Sequence, residues 1–261
     1  MKILFNEIME VVTPCFCAGA DQSKAEIRAP SIRGELRWWF RALGGTLAEE
    51  QKVFGGIAGD EGTSSAVVVR VLMLPPQKDE SRHLPENHQF FTMSRKGNEA
   101  MIPAGRRFMM KILLRRSVDT ERLNLAIEAF MYFGSIGLRS NRGCGALQRA
   151  EHLPSQAEVE VLFEEMRKSG FECFSRAKER DGLKALKSLE DAIKTLREDC
   201  NIQKNEKNAM GFVGSTRHSS CLRVRPVALK DGFFLPVLLY SESVKGEDIK
   251  GIRMELKACF S

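Results

Sequence analysis

Arg28-Ala-Pro-Ser-Ile-Arg-Gly-Glu-Leu-Arg-Trp-Trp-Phe-Arg-Ala-Leu-Gly-Gly45 reads as an amphipathic helix that carries its own start and stop signals. Ser31, after Pro30, is placed to cap the helix, because a serine hydroxyl accepts a hydrogen bond from a free N–H of the first turn. Gly44-Gly45 end it after Leu43. At about 100° per residue, Ile32, Leu36, Trp39, Phe40 and Leu43 fall on one stripe, the face a core would cover. Arg33, Arg37 and Arg41 form a second stripe beside it, at i, i+4 and i+8. Gly34 and Trp38 lie on the side away from the core.

That far side is where chemistry is expected. A mid-helix glycine costs about 1 kcal/mol relative to alanine, so Gly34 reads as a gap left for something to approach. Three cations on one edge repel one another and call for anions between them. Trp38, one of two tryptophans, is not needed by the apolar stripe. A glycine gap, an indole and an arginine row at a helix start suit a phosphate chain with a base stacked nearby. The alternative is a solvated basic face with Trp38 lying under a neighbouring element.

Outward from the helix, residues 2–12 read as a strand rich in Ile, Phe and Val, and 46–54 as a second helical piece followed by a glycine-rich loop. Ser65–Leu74 is the clearest strand. Residues 75–104 hold Pro76, Pro85 and Pro103 with no sustained period, and read as an insertion or long loop. Phe108, Met110 and Ile112 mark a strand over 107–115. Leu123, Ile127, Phe130 and Met131 mark a helix after Asp119-Thr120, and 146–153 a last strand. The order β-α-β-β-α-β predicts an α+β, ferredoxin-like (RRM-like) domain over 1–153 with the insertion 75–104. After Pro154 come charged amphipathic helices at 156–168 and 183–199, a hairpin of 222–229 and 233–240 about Lys230-Asp231-Gly232, and a helix at 246–258. These predict a second, smaller, helix-rich α+β domain over 154–261.

The loop Gly134-Ser-Ile-Gly-Leu-Arg-Ser-Asn-Arg-Gly-Cys-Gly145 is the second candidate site. Its glycines free the backbone to bring N–H groups near a ligand. Arg139 and Arg142 add charge, and Ser140 and Asn141 add neutral donors. With Gly137 and Gly143, this composition suits phosphates without reading base identity. The alternative is a plain helix-to-strand connection.

Composition narrows the classes. Residues 1–150 hold 21 Lys+Arg against 16 Asp+Glu, so nearly all of the net charge of +6 sits there, as expected of a surface that meets a polyanion. The seven cysteines form no Cys-x-x-Cys pair and are odd in number, which predicts reduced thiols, no disulfide framework and no zinc site. The N-terminal run, broken by Glu7 and Glu10, does not read as a signal peptide. No apolar run reaches the ~18 residues of a membrane span. The expectation is a soluble cytoplasmic protein with no cofactor, no metal and no membrane partner.

Residues 29–43, the 134–145 loop and Ser215–Pro226 together resemble the RAMP superfamily of CRISPR-associated RNA-binding proteins, and within it the first subunit of the Cmr (type III-B) RNA-guided complex. The resemblance implies a RAMP fold of the ferredoxin-like kind, antiviral defence as the setting, and single-stranded guide or target RNA with other Cmr-type RAMP subunits as partners. It places the chain near the 3′ end of the guide, and target cutting on other subunits. Arg33, Gly34, Arg37, Trp38, Arg41, Gly137, Arg139, Ser140, Asn141, Arg142 and Gly143 would then contact RNA, with Lys24, Arg28, Arg217 and His218 as weaker candidates. No catalytic residue is implied. The competing reading, taken from crRNA-processing relatives, is a metal-independent endoribonuclease using His218 as general acid or base. A partner-binding scaffold without RNA contact is a third, against which the basic first half speaks.

Overall fold

Strand β1 (Lys2–Val11) is followed by α1 (Ala29–Ala42), α2 (Leu47–Phe54), a short hairpin of β2 (Gly56–Ala58) and β3 (Glu61–Thr63), and then β4 (Val67–Met73), β5 (Arg107–Leu114), α3 (Glu121–Phe133) and β6 (Leu147–Arg149). Next come α4 (Gln156–Lys168), β7 (Phe171–Ser175), α5 (Gly182–Asp199), a second short hairpin of β8 (Phe212–Val213) and β9 (Arg217–His218), and the long pair β10 (Arg223–Ala228) and β11 (Phe234–Ser241). This is a computed structural model, and it describes residues 1–58, 61–76, 101–199, 212–213, 217–218 and 220–241. The helix expected at 246–258 and most of the insertion 75–104 lie outside the described residues.

The first sheet has the order β4-β5-β1-β6 with every neighbouring pair antiparallel. Leaving the small β2–β3 hairpin aside, that is second-third-first-fourth along the chain, the ferredoxin-like order expected from β-α-β-β-α-β. α1 and α3 pack on each other, and Ile32, Leu36, Trp39, Leu123 and Phe130 meet Met9, Phe108, Met110 and Ile112 from the sheet, all fully buried. The apolar stripe read from spacing is therefore the face that covers the sheet.

The second sheet, β10-β11-β7, is also antiparallel. Alternation along β11 divides its two faces. Leu235, Val237 and Leu239 join the core of the first sheet, while Leu238 and Tyr240 pack with Leu186, Leu189 and Leu196 of α5. The change of character after Pro154 thus separates the two sheets, while one apolar cluster runs through both.

Several expectations are corrected. α1 begins at Ala29 with Arg28 as its N-cap, so Ser31 sits inside the first turn and its Oγ accepts from Cys17 Sγ at 3.5 Å instead of capping. The last strand of the first half has three residues, not eight. The glycine-rich stretch after α2 forms the β2–β3 hairpin. β7 was not expected, because Phe-Glu-Cys-Phe-Ser is too short to show a period and is strand only through its pairing with β11.

Candidate nucleic-acid interface

α1 presents its arginine row unevenly. Arg37 Nε and Nη2 reach Glu50 Oε1 at 2.7 and 2.6 Å, and Arg41 Nε stands 3.3 Å from Glu50 Oε2. The Glu50 side chain is 2% exposed, because α2 turns it inward with Val53 and Phe54. A carboxylate on a buried helix face requires a cationic partner, which was the one available sign that this row is partly neutralised from within. Arg41 stays exposed and Arg37 half-buried. Arg33 lies apart from that pair, toward β4, and Gly34 is exposed with nothing within 4 Å of where a Cβ would stand.

Trp38 is half-buried under β10. The guanidinium of Arg223 stands 3.5 Å from its ring centroid, and Nη1 donates to Glu35 Oε2 at 2.8 Å. A planar guanidinium on an indole face, with a carboxylate at its edge, combines cation–π attraction with a charged hydrogen bond. The sequence reading missed Arg223, and its only sign there was that it is one of two arginines, with Arg225, in a strand whose other residues are apolar.

The glycine loop is stitched to the segment between β1 and α1. Leu138 N–H donates to Phe16 O at 3.0 Å and Gly145 N–H to Pro14 O at 2.9 Å; the Thr13 hydroxyl donates to Gly143 O and accepts from Ala146 N–H. Gly137 (φ +87°) and Gly145 (φ +64°) adopt backbone that other residues rarely take, and a Cβ on Gly137 would stand 2.7 Å from Phe16 O. These glycines therefore serve the close approach of two loops. Gly143 is buried against Leu186, with its N–H on Ser140 O and its carbonyl on Thr13. The solvent side of the loop is Gly137 to Arg142.

The two segments come together. Cys17, next to the Phe16 carbonyl that holds Leu138, meets Ser31 in the first turn of α1. From the other side, Arg223 holds Glu35 of α1 while the next residue, Val224, donates its N–H to Asn141 O at 3.1 Å. Asn141 Nδ2 donates to Ser220 O at 2.7 Å, so this side chain fixes the loop to the approach to β10. Arg142 has no ion pair among the described residues. Its guanidinium is held below its usual pKa by burial and then by the charges of Arg197 and Arg139. Like charges crowded together in this way favour an anion among them.

Of the weaker candidates, Lys24 lies 3.7 Å from Asp21, and Arg28 Nε lies 2.9 Å from Glu26 Oε1. β9 places Arg217 and His218 opposite Val213 and Phe212, and their side chains lie outside the described residues. Burial pushes the Cys144 and Cys173 thiols up to about 12, which keeps them protonated and inert. Among the described residues, no three His, Cys, Asp or Glu side chains are arranged to hold a metal, and no helix is long and apolar enough to cross a membrane.

A sequence model of the RAMP superfamily matches residues 8–148, a span that includes both α1 and the glycine loop. The chain is 30% identical over 166 residues to the CRISPR system Cmr subunit Cmr1-1 of Pyrococcus furiosus, covering 56% of this chain and 45% of that protein. It is 43% identical over 56 residues to Cmr1-2 of the same organism, covering 18% and 30%. The chain thus spans less than half the length of these curated relatives. Among solved structures, the crystal structure of Cmr1 from Pyrococcus furiosus superposes with a TM-score of 0.64 at 18% identity, over 93% of this chain and 89% of that one. A chain of the type III-B Cmr-beta cryo-EM structure bound to cognate target RNA gives 0.60 at 14% identity, over the whole of both. At such identities the likeness is one of fold.

Proposed function

The chain belongs to the RAMP superfamily, and from that premise we propose that it is a non-catalytic, RNA-binding subunit of a Cmr-type (type III-B) CRISPR ribonucleoprotein. It grips the backbone of single-stranded guide or target RNA near the 3′ end of the guide, beside other RAMP subunits. The observation that carries this reading is the juncture of α1 and the glycine loop, tied by Phe16–Cys17 on one side and Arg223–Val224 on the other. Arg139 and Arg142 of the loop and Arg33 and Arg41 along α1 are the cations assigned to the grip, together with Gly34 and Ser140. The Cmr names of its relatives, and a matching chain in an assembly described as bound to target RNA, support the same setting. Contacts to phosphates carry no sequence information, so binding is indifferent to sequence.

Arg142→Ala is the cleaner probe, because Arg142 makes no ion pair among the described residues, and the nearby Glu190 carboxylate keeps Lys187 as its partner. We expect about tenfold weaker binding to unrelated single-stranded RNAs alike, and a fall in the salt slope of about 0.7, read by fluorescence anisotropy at several salt concentrations. Unchanged affinity would remove the loop from the site. Arg37→Ala is less clean, since leaving Glu50 buried without its best partner costs on the order of 3 kcal/mol of stability. Repeat RNA incubated with the protein in EDTA is expected to stay whole, and cleavage abolished by His218→Ala would replace binding with catalysis.

A further inference from the structure

The start of α1 and the edge strand β4 enclose a cleft of about 310 Å³, with Arg33 on one side and Arg115 on the other. Neither arginine makes an ion pair or side-chain hydrogen bond among the described residues, in contrast to Arg37 and Arg41 on Glu50 or Arg116 on Lys52 O. Among the described residues no carboxylate lines the cleft, and Ser65 donates its hydroxyl proton to Val67 O at 2.7 Å. Pro30 and Val68 supply apolar wall. Arg115 is set in place by its own N–H on Ala66 O at 2.9 Å, which carries the β4–β5 pairing past Leu114.

We infer that this cleft is a second phosphate subsite that takes one further nucleotide of the RNA, and the inference rests on the RNA-binding reading above. Two guanidiniums bring ten N–H donors to a space lined by no carboxylate among the described residues, and fork-like donors match phosphate oxygens. The volume is at the small end of ligand pockets, which admits a nucleotide and excludes a helix. Arg33 precedes Arg37 by one turn, about 5–6 Å along the same edge. A backbone held at α1 therefore runs into the cleft without changing direction. That continuity favours RNA over an acidic segment of a partner protein.

Arg115→Ala tests the inference on the full chain, since this exposed side chain holds no other group among the described residues. With long single-stranded RNA, binding should weaken about tenfold and the salt slope should fall by about 0.7. 4-Thiouridine crosslinks should appear on the 65–69 segment in the wild type and be lost in the variant. Wild-type binding and crosslinking by Arg115→Ala, alongside weakened binding by Arg142→Ala, would overturn the cleft alone. Normal RNA binding by Arg115→Ala with lost co-assembly with other Cmr subunits would assign the cleft to a protein carboxylate, and overturn it too. Absence of RNA binding by the wild-type chain would take the broader reading down with it.

Discussion

Gly34 and Arg223 show what a single residue does at this interface. A methyl group on Gly34 would meet nothing within 4 Å, so packing gives no reason for glycine in the middle of α1. Gly34→Ala is therefore expected to stabilise the free protein by about 0.5–1 kcal/mol, the helix-propensity difference, while weakening RNA binding severalfold because the backbone can no longer come as close. Denaturant midpoints and binding isotherms on the same samples check both signs. A stabilised variant with unchanged affinity would make Gly34 a bystander. Arg223 makes the opposite point. It lies 188 positions from Glu35 in sequence, so no local pattern in α1 reveals that Trp38 has a guanidinium on its face. Gly34 and Trp38 look alike from helical spacing, yet one is open and the other is covered.

At the scale of elements, α2 is set by a capping box in which Thr46 and Glu49 satisfy each other's backbone N–H groups. Those hydrogen bonds, followed by Arg122, hold the Glu49 carboxyl down to about 2 from its usual 4.5. A carboxyl lowered by folding stabilises the native state above its unfolded pKa and loses that contribution as the pH falls. The support from this box is thus complete above about 4.5 and fades toward about 2. Thr46→Ala should cost about 1 kcal/mol at neutral pH and flatten the decline in urea midpoint through that window. An equally steep decline in the variant would exonerate the box. Because α2 also carries Glu50, a frayed start loosens the partner of Arg37 and Arg41. Elements with a full period, such as α1 and α4, were legible because apolar spacing is a local property, and the β10–β11 pair because Asp231-Gly232 marks its turn. β7 was not, since five residues gain strand form only from a partner more than sixty positions away. The glycine loop was legible as special, but for a reason the sequence hides. Gly137 and Gly145 answer to the carbonyls of Phe16 and Ile136, Gly134 to Phe130 and Gly143 to Leu186, so the argument for a ligand passes from the glycines to the half-buried Arg142.

Across the whole molecule, the two sheets share a core that the Pro154 boundary does not divide. Trp39 of α1 stacks on Phe171 of β7 with centroids 5.7 Å apart, and Phe133 of α3 stacks on Phe163 of α4 at 5.4 Å. Aromatic surface of this kind dominates core energetics, so separating the halves would strip cover from the helices that position the proposed RNA site. The loop depends on the second half as well, through Val224 on Asn141 O and Leu186 against Gly143. The full chain is therefore expected to unfold in one cooperative transition, with tryptophan fluorescence and far-ultraviolet dichroism coincident. A polypeptide of residues 1–153 alone should keep helix signal, bind a hydrophobic dye as loosely packed states do, and lose measurable affinity for single-stranded RNA. Two separate transitions, or a 1–153 fragment that melts cooperatively and still binds RNA, would mean that the ferredoxin-like half carries the grip by itself. The contacts from β10 and α5 would then be supports for another surface.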